Sequence, residues 1–144
     1  MKKPELLIPA SSLEVLKTAV IYGADAVYIG GEAFSLRAKA KNFSMEEMKE
    51  GIRFAHAHGV RVHVTANILA HNSDLEGAEE YFQELRELGP DAILVADPGM
   101  FMLAKDICPE IPNLLFHFVF IRIRTQKMQD QSLPFFRLFH ECIF

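Results

Sequence analysis

Tyr22-Gly23-Ala24-Asp25-Ala26-Val27 and Leu88-Gly89-Pro90-Asp91-Ala92-Ile93 are two copies of one junction. In each, a glycine closes a helix, an aspartate occupies the turn, and a small residue opens an apolar run. Glycine supplies the left-handed conformation that commonly ends a helix. Around these junctions one pattern repeats over residues 1–112: a short apolar run, a loop, then an amphipathic helix. The runs are Leu6-Leu7-Ile8, Ala26-Val27-Tyr28-Ile29, Val60-Arg61-Val62-His63-Val64 and Ala92-Ile93-Leu94-Val95. Short runs of this kind, bounded by Gly, Pro or polar residues, suit buried parallel strands.

Helix boundaries are legible as well. Ser11-Ser12-Leu13-Glu14, Ser44-Met45-Glu46-Glu47 and Ser73-Asp74-Leu75-Glu76 each fit the Ser-x-x-Glu capping box, in which a hydroxyl and a carboxylate satisfy exposed N–H groups of the first turn. Gly23, Gly59 and Gly89 are the stops. Leu75, Ala78, Phe82 and Leu85 share one helical face, as do Met45, Met48, Ile52 and Ala55. Four tandem βα units predict right-handed crossovers and a parallel sheet, fold class α/β. No Gly-x-Gly-x-x-Gly turn follows the first run, which argues against a dinucleotide-binding sheet. The expected architecture is the N-terminal half of a parallel (β/α) TIM-like barrel, four βα units plus a divergent C-terminal tail. A whole eight-unit barrel needs roughly 200 residues or more. The chain has 144, so it is read as cut short after its fourth unit.

The pattern stops at Pro112. Residues 113–144 contain no glycine and no alanine, and they hold seven of the twelve phenylalanines. Charge changes sign there: residues 1–112 carry −6 and the tail +2. Leu114 to Arg124 fits a fifth strand, with Phe116, Phe118 and Phe120 alternating. The tail reads either as a genuine divergent terminus or, the sharper expectation, as an altered reading frame.

Composition narrows the function classes. Half the residues are apolar, 24% are charged, and the net charge is −4. That is an ordinary globular balance with no overall pull toward a polyanion. Cys108 and Cys142 lack motif spacing and suit a reducing cytoplasm. No signal peptide and no transmembrane span are read, so no membrane partner is expected.

In parallel α/β folds, chemistry gathers on the loops after strand C-termini. The loop after the second run is the long one. It carries Gly30-Gly31-Glu32 and then Arg37, Lys39 and Lys41. Glycines permit close backbone approach, and arginine offers a planar fork to a carboxylate or phosphate. Arg37 is therefore a candidate substrate contact, weighed evenly against a solvated loop charge; for Lys39 and Lys41 the solvated reading is the better one. Glu32 is a candidate acid/base group or an ion-pair partner of Arg37. Asn67 places an amide at the end of the third run. Asp97 follows the fourth run directly, where barrel enzymes hold carboxylates, although Asp-Pro-Gly is also a common helix-start sequence. No catalytic residue is assigned. His56 and His58 do not share a helical face, and His63 reads as a core or lining residue. There is no His-x-x-x-His or Cys-x-x-Cys metal spacing, no Gly-x-Ser-x-Gly elbow and no Walker loop.

Several of these segments together resemble the N-terminal region of peptidase family U32, the collagenase-like proteases. They are Glu5 to Ala10, Gly23 to Gly31, Phe34-Ser35-Leu36-Arg37-Ala38 with Asn42-Phe43, Thr65-Ala66-Asn67 and Ala96-Asp97-Pro98-Gly99. The likeness covers about residues 4–112, and it is nearest a bacterial subgroup linked to hydroxylation of a tRNA wobble uridine. It implies a barrel-like catalytic domain and peptide-bond hydrolysis. The alternatives are a tRNA-modifying factor and a non-catalytic half-barrel that self-associates through its open sheet edge. The partner is accordingly peptide or tRNA. The resemblance also implies an iron–sulfur cluster in full-length relatives. The family's clustered cysteines have no counterpart in this sequence, so no cofactor and no catalytic centre are expected in this chain.

Overall fold

The computed structural model describes residues 4–35, 42–68, 70 and 75–115. Strands and helices alternate through them: β1 (Leu7–Pro9), α1 (Leu13–Ile21), β2 (Ala26–Gly30), α2 (Met45–Ala57), β3 (Arg61–Ala66), α3 (Ala78–Leu88), β4 (Ala92–Val95), α4 (Pro98–Ile107) and β5 (Asn113–Leu115). Every neighbouring pair is parallel, and the sheet order is β1-β2-β3-β4-β5. A doubly wound sheet requires a point where strand order reverses. No reversal occurs among the described strands, so the chain forms part of a barrel-like α/β sheet. β5 begins at the point where the sequence changes character. The rest of the expected fifth strand and of the tail lies outside the described residues.

Local signals account for most element boundaries. Ser44 closes a full capping box: its Oγ accepts from the Glu47 N–H, and the Glu47 carboxylate accepts from the Ser44 N–H. The first helix differs by one residue from the sequence reading. Its N-cap is Ser12, whose Oγ accepts from the Val15 N–H, so Ser11 is not the capping hydroxyl. The third start differs more. α3 begins at Ala78 behind Gly77, which is left-handed at φ 81° and offers no side-chain cap. That glycine separates Leu75 from the helix, and Leu75 is exposed rather than on the buried face. Gly23, Gly59 and Gly89 all take positive φ, as the stop signals require.

Packing follows the two-residue period of the strands. Val27, Ile29, Val62, Val64, Ile93 and Val95 are buried in one core with residues of all four helices, including Leu16, Ile52, Phe82 and Met100. α1 lies on α2 and α3 on α4. Gly51 makes the first contact close, since a Cβ there would stand 2.9 Å from Leu16 Cδ1. The alternate residues occupy the opposite face, where Pro9, Tyr28, His63 and Leu94 are exposed or half-buried while the smaller Ala26, Thr65 and Ala92 are buried. The described helices therefore cover one face of the sheet.

The repeated junction explains its own aspartate. Asp25 Oδ2 accepts from the Leu6 N–H at 2.8 Å, just before β1. Asp91 Oδ2 accepts from the Val62 N–H at 2.7 Å and meets His56 Nε2 at 2.8 Å. In both cases the carboxylate before one strand satisfies a backbone donor at the start of the preceding one, which fixes their relative height. Replacing Asp91 with Ala leaves a part-buried N–H without its charged acceptor, and the expected loss is about 2 kcal/mol. Urea unfolding of the two proteins measures it, and an unchanged midpoint would remove the aspartate from the register argument.

Candidate functional site at the strand ends

The C-terminal ends of β2, β3 and β4 lie side by side, and three of the four candidate residues follow them directly. Glu32 is exposed two residues past β2, and its N–H donates to Phe43 O at 3.2 Å. Asn67 is half-buried one residue past β3. Asp97 lies two residues past β4 and is the N-cap of α4. Arg37 lies outside the described residues, as do Lys39 and Lys41.

The Asp97 side chain is engaged within its own helix start. Its Oδ1 accepts from the Gly99 N–H at 2.8 Å and the Met100 N–H at 3.0 Å, with Pro98 in the first helical position. The same carboxylate retains a second oxygen at the barrel mouth. Asp97→Ala is expected to lower stability by about 1 kcal/mol through loss of the cap, while Asp97→Asn keeps it. A substrate contact shows differently: Asp97→Asn would then lose binding with its melting temperature unchanged.

The loop after β2 is held by features that single residue types did not reveal. Phe43 bridges back to Gly31, and its N–H donates to Gly30 O at 3.0 Å, closing the base of the loop. Phe34 takes φ 58°, the one positive φ outside glycine among the described residues. A bulky side chain there is strained, and such strain gathers at functional loops. The Phe34 ring lies 5.0 Å from that of Tyr81 on α3, and Phe34 O accepts from the Ile68 N–H at 3.2 Å. This turn buries Ser35, whose Oγ stands 2.8 Å from where a Gly30 Cβ would be. Thr65 is also buried, and its hydroxyl donates to Ile29 O at 3.1 Å. Beneath the loop the Tyr81 hydroxyl is buried without a hydrogen-bond partner. Burial, and secondarily the Glu84 carboxylate, push it well above the ordinary phenol range, so it stays protonated. A Cβ on Gly31 would stand 2.9 Å from that oxygen. The Gly30-Gly31 pair was the sequence signal for this arrangement; Ser35 and Tyr81 left none.

The described residues do not fit an iron–sulfur cluster. Cys108 is the one cysteine among them, and it is buried with Sγ donating to Ala104 O at 2.9 Å. Burial, with Glu110 nearby, raises its pKa, which favours the thiol over the thiolate a cluster binds. Nor do any three His, Cys, Asp or Glu side chains among the described residues gather closely enough to hold a metal ion. No described helix is long and apolar enough to cross a membrane.

Residues 11–117 match Peptidase family U32. The chain belongs to that family. It is 47% identical over 110 residues to tRNA hydroxylation protein P1 of Bacillus subtilis, covering 76% of this chain and 26% of that protein. It is 43% identical over 103 residues to the uncharacterized protease MJ0090 of Methanocaldococcus jannaschii, covering 72% of this chain and 25% of that one. The chain thus spans about a quarter of the length of these curated relatives. Among solved structures, the U32 peptidase Mk0906 superposes with a TM-score of 0.60 at 17% identity, over 81% of this chain and 51% of that one. That likeness bears on the fold alone, and it agrees with a partial barrel.

Proposed function

We propose that this chain supplies the first strands and the mouth loops of a U32 barrel that modifies RNA, with hydroxylation of a tRNA wobble uridine as the reaction. The observation that carries this reading is the 47% identity to a protein named for tRNA hydroxylation, over a span that includes the strand ends described above. Peptide-bond hydrolysis is the weaker reading. The described strand ends bring together no nucleophile with a base beside it, and the one described cysteine is held as an inert thiol. Glu32, Asn67 and Asp97, with Arg37 in the following loop, serve here as substrate contacts rather than reacting groups. An acidic first portion gives little attraction to phosphates, so the basic surface for RNA belongs to the rest of the relative's chain. The cytoplasm is the compartment of this reading. A chimera tests it. Residues 4–112 replace the matching part of Bacillus subtilis tRNA hydroxylation protein P1 in cells lacking both P1 and that organism's tRNA hydroxylation protein P2, which is 34% identical to this chain over 111 residues. Hydroxylated uridine is expected to return in tRNA digests; a chimera that accumulates without restoring it would overturn the reading.

A second reading, self-association along the open edge, is favoured by Leu6 and Leu7, which are 49% and 43% exposed beside β1. Exposed strand edges with apolar side chains drive pairing. Sedimentation velocity of the full chain is expected to show a dimer that Leu7→Lys converts to monomer. A monomer at every concentration tested would end this reading.

A further inference from the structure

The uncovered face of the sheet carries an unusual row. Barrel interiors are filled by layers in which Val, Ile and Leu dominate. Here the register places Pro9 beside Tyr28, Tyr28 beside His63, and His63 beside Ala92. Two large side chains with polar tips stand between two small ones, one row below the strand ends. Both are half-buried, and among the described residues neither the Tyr28 hydroxyl nor the His63 imidazole has a hydrogen-bond partner. The row below is closed by Arg61, whose Nη2 lies 2.7 Å from Glu5 Oε1. The row above is Gly30, Thr65 and Leu94, where the Thr65 hydroxyl is already committed to Ile29 O. Tyr28 and His63 are thus the uncommitted polar tips of this face, and once a barrel encloses them they need partners.

We propose that Tyr28 and His63 form the floor of a pocket for a flipped pyrimidine base, contacting the imide edge of a uracil ring. The inference rests on the RNA reading above and deepens it. An enzyme that modifies a base takes it out of the stack and reads its edge by hydrogen bonds. The imide edge places a carbonyl oxygen next to an N–H. The Tyr28 hydroxyl donates to the carbonyl, and an unprotonated His63 nitrogen accepts from the N–H. The two residues stand one strand spacing apart on the same face, about 5 Å, a separation that one ring spans. Ala92 and Pro9 on either side leave room for it. Cytosine presents the opposite donor and acceptor order at these atoms, which the pair meets by exchanging roles, the Tyr28 hydroxyl accepting and the other His63 tautomer donating.

The test uses the full chain and free uridine. Histidine ring resonances are followed by NMR, with the His63 signal assigned by its loss in His63→Gln. Uridine is expected to shift that signal, and Tyr28→Phe to weaken the uridine titration about tenfold at unchanged melting temperature. A second measurement places Tyr28→Phe and His63→Gln in the chimera, where hydroxylated uridine is expected to fall at least as far, at equal protein level. A His63 signal unmoved by saturating uridine, together with variants that hydroxylate like their parent, overturns the pocket and leaves the RNA reading standing. A parent chimera that never hydroxylates, with uridine still shifting His63, overturns the RNA reading and keeps the pocket.

Discussion

A parallel sheet whose strands follow one another in sequence order is covered by helices on a single side. Right-handed crossovers return each helix to the same face, and no strand in the series β1 to β5 reverses the order. Purely parallel sheets are nevertheless found with both faces covered. The half-exposed Tyr28, His63 and Leu94 are the local expression of that unmet requirement. Much else depends on it. The helix-facing rows are Val and Ile and fully buried, whereas the opposite rows hold Pro, Tyr, His and Arg and are wetter. The βα alternation with all strands parallel turns the helix N-termini toward the end of the sheet where the candidate contacts lie.

Height along the sheet is set separately from coverage. Strands related by a one-residue slip would exchange their two faces, so register must be held by something besides apolar burial. The aspartates of the repeated junction do this at the opposite end from the mouth, each tying one strand start to its neighbour. Register there fixes which residues emerge at the mouth. Gly30 stands beside Thr65, and Thr65 beside Leu94, only because Ala26 stands beside Arg61 and His63 beside Ala92. A structural carboxylate at the bottom of the sheet and the candidate contacts at the top are parts of one alignment.

Fold was legible in the sequence because its signals are local and periodic. The four apolar runs, three glycine stops and the Ser44 box all correspond to observed elements. The misplaced starts have a common physical cause. Two adjacent serines offer two caps, and only three-dimensional packing selects Ser12. At the third helix a serine-based box competed with a left-handed Gly77, and the glycine set the boundary. The site was legible only as far as strand ends reveal it. Glu32, Asn67 and Asp97 were singled out as candidates because barrel enzymes carry function at strand C-termini, and the structure sets them just past β2, β3 and β4. Tyr81 and the Tyr28–His63 row were not, because each depends on a partner more than 30 residues away in sequence, and the burial of Ser35 depends on the left-handed turn at Phe34, which no residue type announces.

Strain and an orphaned hydroxyl meet at the same loop, and neither helps the chain to fold. A phenylalanine at φ 58° and a buried phenol without a partner each lower stability. The loop tolerates both because its base is fixed by Phe43 and Phe34 itself is held through its carbonyl by the Ile68 N–H, leaving Phe34 little freedom to relax. The result is a turn that holds Ser35 over Gly30 and presses the Phe34 ring on Tyr81. A loop selected for stability alone would place glycine at position 34 and phenylalanine at position 81. The chain has neither, so a strained turn and an unpaired phenol stand together at the end of β2, immediately above the row that holds Tyr28 and His63.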